Sequence, residues 1–421
     1  FLSNFRYAPE ESILIIDEAH NLPDFCRELL SFSLSLNTVR GAIREATDYG
    51  VNDSQLLHLM ETMEKIMEEL MEETSFSETS DAFLQENLLM EKMEKAGVDV
   101  AKLKDMAERM ITYGDIIADI KESRNMLPRS FVRSIGNFFL RWVDLNEKWV
   151  KLIEKEGDNI KIEAYCMDAS LASSIINSFH SSIHMSGTLQ PMEEYRDSMG
   201  IDGSLAIFPS PFPEKNRRII YVEGVTTRYY MDDEMVEKIG RGLEKVCNGV
   251  KRNTLILFPS YSVLGRFDKR IRVERDIYME KRGERQESIM KKLASFKKKG
   301  GIFLSVMGGR LAEGIDFPSE ELEMVIIVGI PYPPPSAKQQ ALQNYYDTKY
   351  GNGWRYVMEA GAIRKMNQAI GRLIRSERDR GVAIIFDERA KRFRKYIKME
   401  RAKNAEEAVM MAKAFFQEVP S

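Results

Sequence analysis

Cysteine is scarce in this chain: Cys26, Cys166 and Cys247 are the only three among 421 residues. They are odd in number and too scattered for a metal cage, so they read as reduced thiols in the core. Histidine is nearly as rare, with four. His180 and His184 are four apart but lack an acidic or thiol partner nearby, and they read as ordinary structural residues. No uninterrupted apolar run is long enough to cross a membrane. Internal repeats and low-complexity tracts are absent. What remains is the make-up of globular domains, 43% hydrophobic and 30% charged. A length of 421 residues leads one to expect two or three of them. The chain opens on Phe1 and reads as a piece of a longer one.

The net charge of −4 hides an uneven distribution. Residues 51–96 hold twelve acidic and three basic side chains. Residues 265–300 hold thirteen basic and six acidic ones, and residues 361–403 hold fourteen and five. A basic second half is the footprint of a phosphate-backbone ligand. Ordinary solvated helix faces would give the same counts, so charge does not decide by itself.

Near the start, Ile13-Leu14-Ile15-Ile16 reads as a buried parallel strand. Asp17-Glu18-Ala19-His20 follows it. Adjacent carboxylates at the carboxyl end of such a strand lie where α/β sheets take ligands. A nucleotide-driven motor needs this pair: one carboxylate holds Mg²⁺ through its water shell, and the other orients the water that attacks the γ-phosphate. Acidic strand ends are common, so the case rests on what comes next. Ser186-Gly187-Thr188-Leu189 appears first, then Glu313-Gly314-Ile315-Asp316-Phe317. Gln368-Ala369-Ile370-Gly371-Arg372-Leu373-Ile374-Arg375 closes the series. Its two arginines are three apart and share a face if the segment is helical.

In this order the four signals resemble those of a superfamily 2 helicase. Cys166-Met167-Asp168-Ala169-Ser170, Leu257-Phe258-Pro259-Ser260-Tyr261 and Gly329-Ile330-Pro331-Tyr332-Pro333 narrow the resemblance to the XPD-type iron-sulfur DNA helicases. It runs from Phe1 to about Lys398. It implies an α/β fold of two RecA-like parallel-sheet motor domains, the first incomplete here, with an inserted, mainly helical, Arch-like domain. The expected division is 1–30 and 158–207 for the first motor domain, 31–157 for the insertion and 208–421 for the second motor domain.

The residues agree with that division. Between His20 and Ser186 lie 165 residues, most of which must leave the sheet and return. Met60, Met63, Met67, Leu70 and Met71 recur at helical steps and read as an adaptable core seam. Helices are expected over about 99–121 and 131–156. Strands are expected at Lys161–Met167 and Ser181–Met185, with a helix over Leu171–Phe179. The proline-rich Phe208–Pro213 marks an interdomain connection. Beyond it, strands are expected at Arg218–Val222, Thr254–Phe258, Gly301–Val306, Met324–Val328 and Val382–Phe386. Helical patterns alternate with these, which indicates a parallel sheet.

The resemblance also implies roles. Asp17 would hold the Mg²⁺ shell and Glu18 would deprotonate the attacking water. His20, Ser186 and Thr188 would link the nucleotide site to the second domain, although Ser-Gly-Thr also suits any turn. Arg372 and Arg375 would reach the γ-phosphate with forked, permanently charged donors, with Gln368 sensing the nucleotide beside them. Gly314 and Asp316 would border the nucleotide. Ser260, Tyr261, Gly308 and Arg310 would touch DNA phosphates. Tyr229, Tyr230, Tyr332 and Trp354 are candidates for stacking on bases. ATP and Mg²⁺ are thus expected as cofactors, and single-stranded DNA and forks as partners. Protein partners would dock on the acidic insertion, membranes are not expected, and the location is intracellular, in the nucleoid or the nucleus. The implied activity is ATP-dependent 5′→3′ translocation in DNA repair.

Two parts of the family pattern are missing. No G-x-x-x-x-G-K-[ST] phosphate loop occurs. Nor do the four cysteines of a 4Fe-4S cluster. Both belong upstream in the family, so this chain alone is expected not to turn over ATP. Two rivals remain open. A nuclease relative would need an added cluster of carboxylates, which is not evident. An ATP-regulated DNA-opening scaffold or interaction module would fit the acidic insertion.

Overall fold

The computed structural model describes residues 8–76, 79–228, 231–268, 270–309 and 321–418. The chain divides into two compact units. The first gathers the chain up to Ser186 with Tyr195–Asp202 and Pro334–Val357, and the second takes Gly187–Glu194, Gly203–Pro333 and everything from Met358 onward.

In the first unit, β1 (Ile13–Ile16) pairs in parallel with β6 (Ser181–His184), Ile13 opposite Ser181 and Ile16 opposite His184. The expected burial is not found, because Ile13 and Ile15 are about 60% exposed. Among the described residues this sheet has two strands, so one face of the apolar run is uncovered.

Helix α1 (Leu22–Leu30) leads from this corner into a large body. The body is built from β2 (Phe32–Ser35), α2 (Leu36–Asp48), α3 (Ser54–Glu73), β3 (Asp81–Phe83), α4 (Leu88–Lys95), α5 (Leu103–Ser123), α6 (Phe131–Trp142), β4 (Trp149–Glu156) and β5 (Asn159–Cys166). Polar caps set the helix starts: Ser35 accepts from the Thr38 amide, Asp53 from Gln55 and Leu56, and Ser130 from Arg133. The methionine seam of α3 is core, with Met60, Met63 and Met67 inaccessible to solvent. Helices α5 and α6 approach closely at two glycines. A Cβ on Gly114 would lie 2.4 Å from Arg133 Cβ, and one on Gly136 would lie 2.6 Å from the Ala107 carbonyl oxygen. The buried Glu45 carboxylate joins three elements by accepting from the Ser130 hydroxyl (2.6 Å), the Val132 amide (2.9 Å) and the Lys121 ammonium (2.5 Å).

Two sequence expectations need correction here. The helix over 131–156 ends at Trp142, and Trp149–Glu156 is strand. The strand expected at Lys161–Met167 exists, but it does not rejoin the β1 sheet. It pairs antiparallel with β2 and β4 in an order β2-β5-β4-β3. The inserted body is therefore helical with an antiparallel sheet, and that sheet reaches Cys166.

After β5 come a short 3₁₀ turn, α7 (Ser173–Ile176), in place of the longer helix expected over Leu171–Phe179, and then β6 and α8 (Met192–Met199). The helix α12 (Ala337–Tyr350) was expected in the second domain but packs in the first unit. Ala341, Leu342 and Tyr346 join Leu152, Tyr165 and Met167 in one apolar cluster. Polar contacts fix it further. Asp81 accepts from the Lys338 amide (3.1 Å), Lys338 Nζ pairs with Glu163 (3.0 Å), and Lys349 Nζ lies 3.5 Å from Asp168. The buried Arg27 donates to the Tyr346 hydroxyl at 3.1 Å.

The second unit holds β7 (Arg217–Val222), α9 (Asp233–Gly249), β8 (Thr254–Phe258), α10 (Tyr261–Phe267), β9 (Ile277–Met279), α11 (Gln286–Lys299), β10 (Ile302–Val306) and β11 (Met324–Val328). It continues with α13 (Ala360–Gly371), β12 (Gly381–Phe386), β13 (Glu400–Ala402) and α14 (Ala405–Gln417). Among the described residues, seven strands form one wholly parallel sheet, ordered β13-β7-β12-β11-β8-β10-β9. Strands β8, β10, β11 and β12 are buried along their whole length. Helices cover both faces, which is why these strands read as unbroken apolar runs.

Candidate functional site

The Asp17–His20 corner is built by the β1–β6 pair. The Ala19 amide donates to the Met185 carbonyl at 3.0 Å, so the two strands stay in register past their ends. That brings Glu18, His20 and Ser186 together across a gap of 165 residues. The Ser186 hydroxyl donates to Glu18 Oε2 at 2.9 Å. His20 Nδ1 lies 2.8 Å from Ser186 Oγ and 3.2 Å from the same Glu18 oxygen. With the hydroxyl proton given to Glu18, the histidine contact is made by an Nδ1–H proton. His20 is buried, whereas the Glu18 side chain is 66% exposed.

Glu18 itself sits at φ 48°, ψ 38°, in the left-handed region. For a glutamate this costs about 1–2 kcal/mol. Asp17 Oδ1 accepts from the Glu18 amide at 2.8 Å and steadies the turn. One oxygen of each carboxylate is thereby engaged, and both side chains face solvent. An exposed carboxylate held by a histidine and a serine, beside a second carboxylate, can orient a water molecule and support a hydrated divalent cation. Thr188 lies in the turn two residues beyond Ser186 and is half-buried.

On the neighbouring β6, His184 accepts or donates at the Tyr195 hydroxyl, 2.5 Å from Nδ1, and burial pushes its pKa below the usual range. It is a packed structural histidine, as the sequence suggests. The three thiols are all buried and dispersed over α1, the end of β5 and α9, and burial raises Cys247 to about 12. Among the described residues no group of three or more His, Cys, Asp or Glu side chains could hold a metal. These residues do not fit an iron-sulfur cluster.

The arginine motif is in the second unit. Gln368 lies on α13, half-buried. The helix stops at Gly371, so Arg372 and Arg375 do not share a helix face, contrary to the spacing argument. Arg372 caps the helix and is buried, while Arg375 is exposed in the following turn. Leu373 and Ile374 continue the buried face of Ile370 at three- and four-residue steps, as a helix would, so burial does not end it. A local cap does. The buried Asp379 then takes the amides of Arg375 and Ser376, each at 2.7 Å, and the Ser376 hydroxyl at 2.8 Å. The sequence reading missed Asp379. The signal was a serine three residues ahead of an aspartate, the mark of a local capped turn.

Ser260 caps α10 by accepting from the Val263 amide at 3.2 Å. The Tyr261 hydroxyl donates to the buried Glu280 at 2.6 Å, so it is engaged within the fold. Ser305 donates to the other oxygen of Glu280 at 2.5 Å. Gly308 follows β10 with φ 77°, exposed, in a turn that needs a glycine. Arg310, Gly314, Asp316, Tyr229 and Tyr230 lie outside the described residues. Trp354 is 40% exposed, and Tyr332 is half-buried with its phenol pKa raised by burial.

Three family descriptions match consecutive stretches of the chain. They are DEAD_2 at residues 3–39, the helical and beta-bridge domain at 42–230 and the helicase C-terminal domain at 243–404. A probable ATP-dependent helicase of Methanocaldococcus jannaschii is 30% identical over 278 residues, covering 62% of this chain and 41% of that protein. The ATP-dependent DNA helicase CHL1 of Coccidioides immitis is 24% identical, covering 90% and 52%. The chain spans about half the length of these relatives. Among solved structures, Xpd4 of S. tokodaii superposes with a TM-score of 0.66 at 16% identity, covering 93% of this chain and 74% of the other. An XPD helicase structure gives 0.61 at 23% identity, covering 93% and 68%.

Proposed function

Because the chain belongs to the XPD-type superfamily 2 helicases, we propose that it supplies much of the motor of an ATP-dependent DNA helicase that moves 5′→3′ along single-stranded DNA in DNA repair. The observation that carries this reading is the Glu18 corner, where a solvent-facing carboxylate is held by Ser186 and His20 beside Asp17. In that reading the free oxygen of Asp17 holds Mg²⁺ through water. Glu18 takes a proton from the water that attacks the γ-phosphate. Ser186 and His20 fix the carboxylate in place, and Thr188 extends the relay. Arg372 and Arg375 stabilise charge on the transferring phosphoryl group, with Gln368, Gly314 and Asp316 bordering the nucleotide.

DNA phosphates would meet Ser260, Gly308, Arg310 and the backbone of Tyr261, whose hydroxyl is occupied. The body from β2 to β5 corresponds to the Arch-like insertion, where protein partners would dock. No step of this scheme passes through an iron-sulfur cluster.

Glu18→Gln in the full-length protein tests the assignment. ATP and single-stranded DNA binding should persist, and hydrolysis should fall by at least about two orders of magnitude, the lower end of what general-base loss costs. Hydrolysis near the wild-type rate would remove Glu18 from the role.

A further inference from the structure

A second charged site lies in the second unit, away from every residue singled out by the motifs. The carboxyl ends of β13, β7 and β12, adjacent in the sheet, meet the start of α14 and the flank of α9 around a cavity of about 350 Å³. Open parallel sheets take ligands at this end of their strands. Four cations stand around the cavity: Lys238, Arg241, Lys245 and Lys403. The two acids that also line it are already matched. Glu223 pairs with Arg401 at 2.7 Å, and Glu406 pairs with Lys245. Arg241 has only a loose, exposed contact to Glu237 at 3.8 Å. The ammonium groups of Lys238 and Lys403 have no hydrogen bond or ion pair among the described residues. Lys238 and Lys403 thus line the cavity with no acid paired to them, and Arg241 beside them keeps one loose ion pair.

The backbone keeps this space open. Gly242 lets α9 lie against the floor, since a Cβ there would come within 2.7 Å of the Phe386 ring. Gly224, at φ 69°, faces the mouth, where a Cβ would stand 3.5 Å from Lys238 Nζ. The start of α14 is not the source of the charge. Asn404 accepts from the Glu407 amide at 2.9 Å, and the Glu407 carboxylate accepts from the Lys403 amide at 2.6 Å, so the helix is capped by its own side chains.

We propose that this cavity is a phosphate-binding site, with Lys238, Arg241 and Lys403 as its donors. Two lysine ammoniums and a guanidinium lining one cavity suit a phosphate, which offers several oxygens to separate donors. The phosphate can belong to a nucleic-acid strand or to a small phosphorylated compound. The proposal does not depend on the helicase reading, because either source would fill the site.

The double variant Lys238→Ala/Lys403→Ala of this chain tests it, since both side chains are exposed and their loss leaves the fold intact. Three readouts are compared with wild type: the melting temperature in chloride, the rise in melting temperature with inorganic phosphate at matched ionic strength, and the salt dependence of binding to a labelled oligo-dT. If a strand phosphate is bound, the log–log salt slope should fall by about 1.4, or about 0.7 for each lost contact on a single strand. If the occupant is a small compound, the slope stays and the phosphate-induced rise disappears. The idea is overturned if the double variant keeps both the slope and the rise. It is equally overturned if Lys251→Ala/Lys413→Ala, which removes two exposed cations outside the cavity and outside both basic stretches, lowers them as much.

Discussion

The acidic corner and the arginine turn are supported in opposite ways. Glu18 projects from a two-stranded sheet whose Ile13 and Ile15 are mostly exposed, and its backbone is held in an unfavourable conformation. Arg372 and Arg375 stand on a seven-stranded sheet whose central strands are fully buried, and Asp379 holds their turn with three hydrogen bonds. The first site is positioned by a few polar contacts across a long chain separation. The second is positioned by a core. Backbone strain is found at Glu18, where chemistry is proposed, and bulk packing at the arginine turn, where a charge has only to be presented.

The sharpest way to break that contrast is to remove the arginines. In the full-length protein, Arg375→Ala should cut DNA-stimulated ATP hydrolysis by on the order of 10³-fold, as for arginine donors in other phosphoryl-transfer sites, with the melting temperature unchanged. Arg372→Ala should show the same kinetic loss and also a lower melting temperature, because Arg372 is buried. Steady-state assays with single-stranded DNA, run beside thermal melts, separate the two effects. A modest rate change in both variants would leave Arg375 as a surface charge worth at most about 1 kcal/mol and Arg372 as a packing residue.

Core deletions come next. Ile256→Ala, in the fully buried β8, should cost about 2–5 kcal/mol. Ile15→Ala, on the exposed face of β1, should stay within about 0.5 kcal/mol. Equal losses in denaturant unfolding would mean that the face of β1 is covered in solution.

A smaller effect should run the other way. Glu18→Gly removes the left-handed strain and should stabilise the first unit by about 1 kcal/mol while abolishing hydrolysis. A melting temperature that falls would show that the Ser186 and His20 contacts outweigh the backbone cost. The smallest effect is expected from acid. The pKa of His184 is depressed by burial, so its contribution to stability is complete above the ordinary histidine value near 6.5 and is lost as pH falls through the lower folded value. Melts between pH 7 and pH 5 should show a decline in the first unit that His184→Asn flattens.

The sequence made some of this readable and hid the rest for identifiable reasons. Strands β8, β10, β11 and β12 are legible because burial on both faces demands unbroken apolar runs. The edge strands β9 and β13 are three residues long and escape any pattern. The segment Trp149–Glu156 was read as helix because lysine and glutamate interrupt its apolar residues. The overlooked signal was Gly157-Asp158, a two-residue hairpin loop with Gly157 at φ 61° joining β4 to β5. At the acidic corner, motif order identified the residues. The left-handed backbone of Glu18 has no sequence signature, since it arises from the register of β1 on β6. At the arginine turn, spacing alone suggests one helix face, and the local cap that Asp379 places on the Arg375 and Ser376 amides ends the helix first.

The docking of α12 on the first unit has a consequence for local concentration. Its flanking residues Pro333 and Met358 both belong to the second unit, so the helix is tied to that unit at each end. A segment held by the chain at both ends meets its binding surface as an intramolecular event, at an effective concentration fixed by the connections rather than by the bulk solution. Weak bonds such as the Lys349–Asp168 and Lys338–Glu163 pairs are then enough to keep it seated. Lengthening either tether would dilute the helix from its surface without touching a single contact.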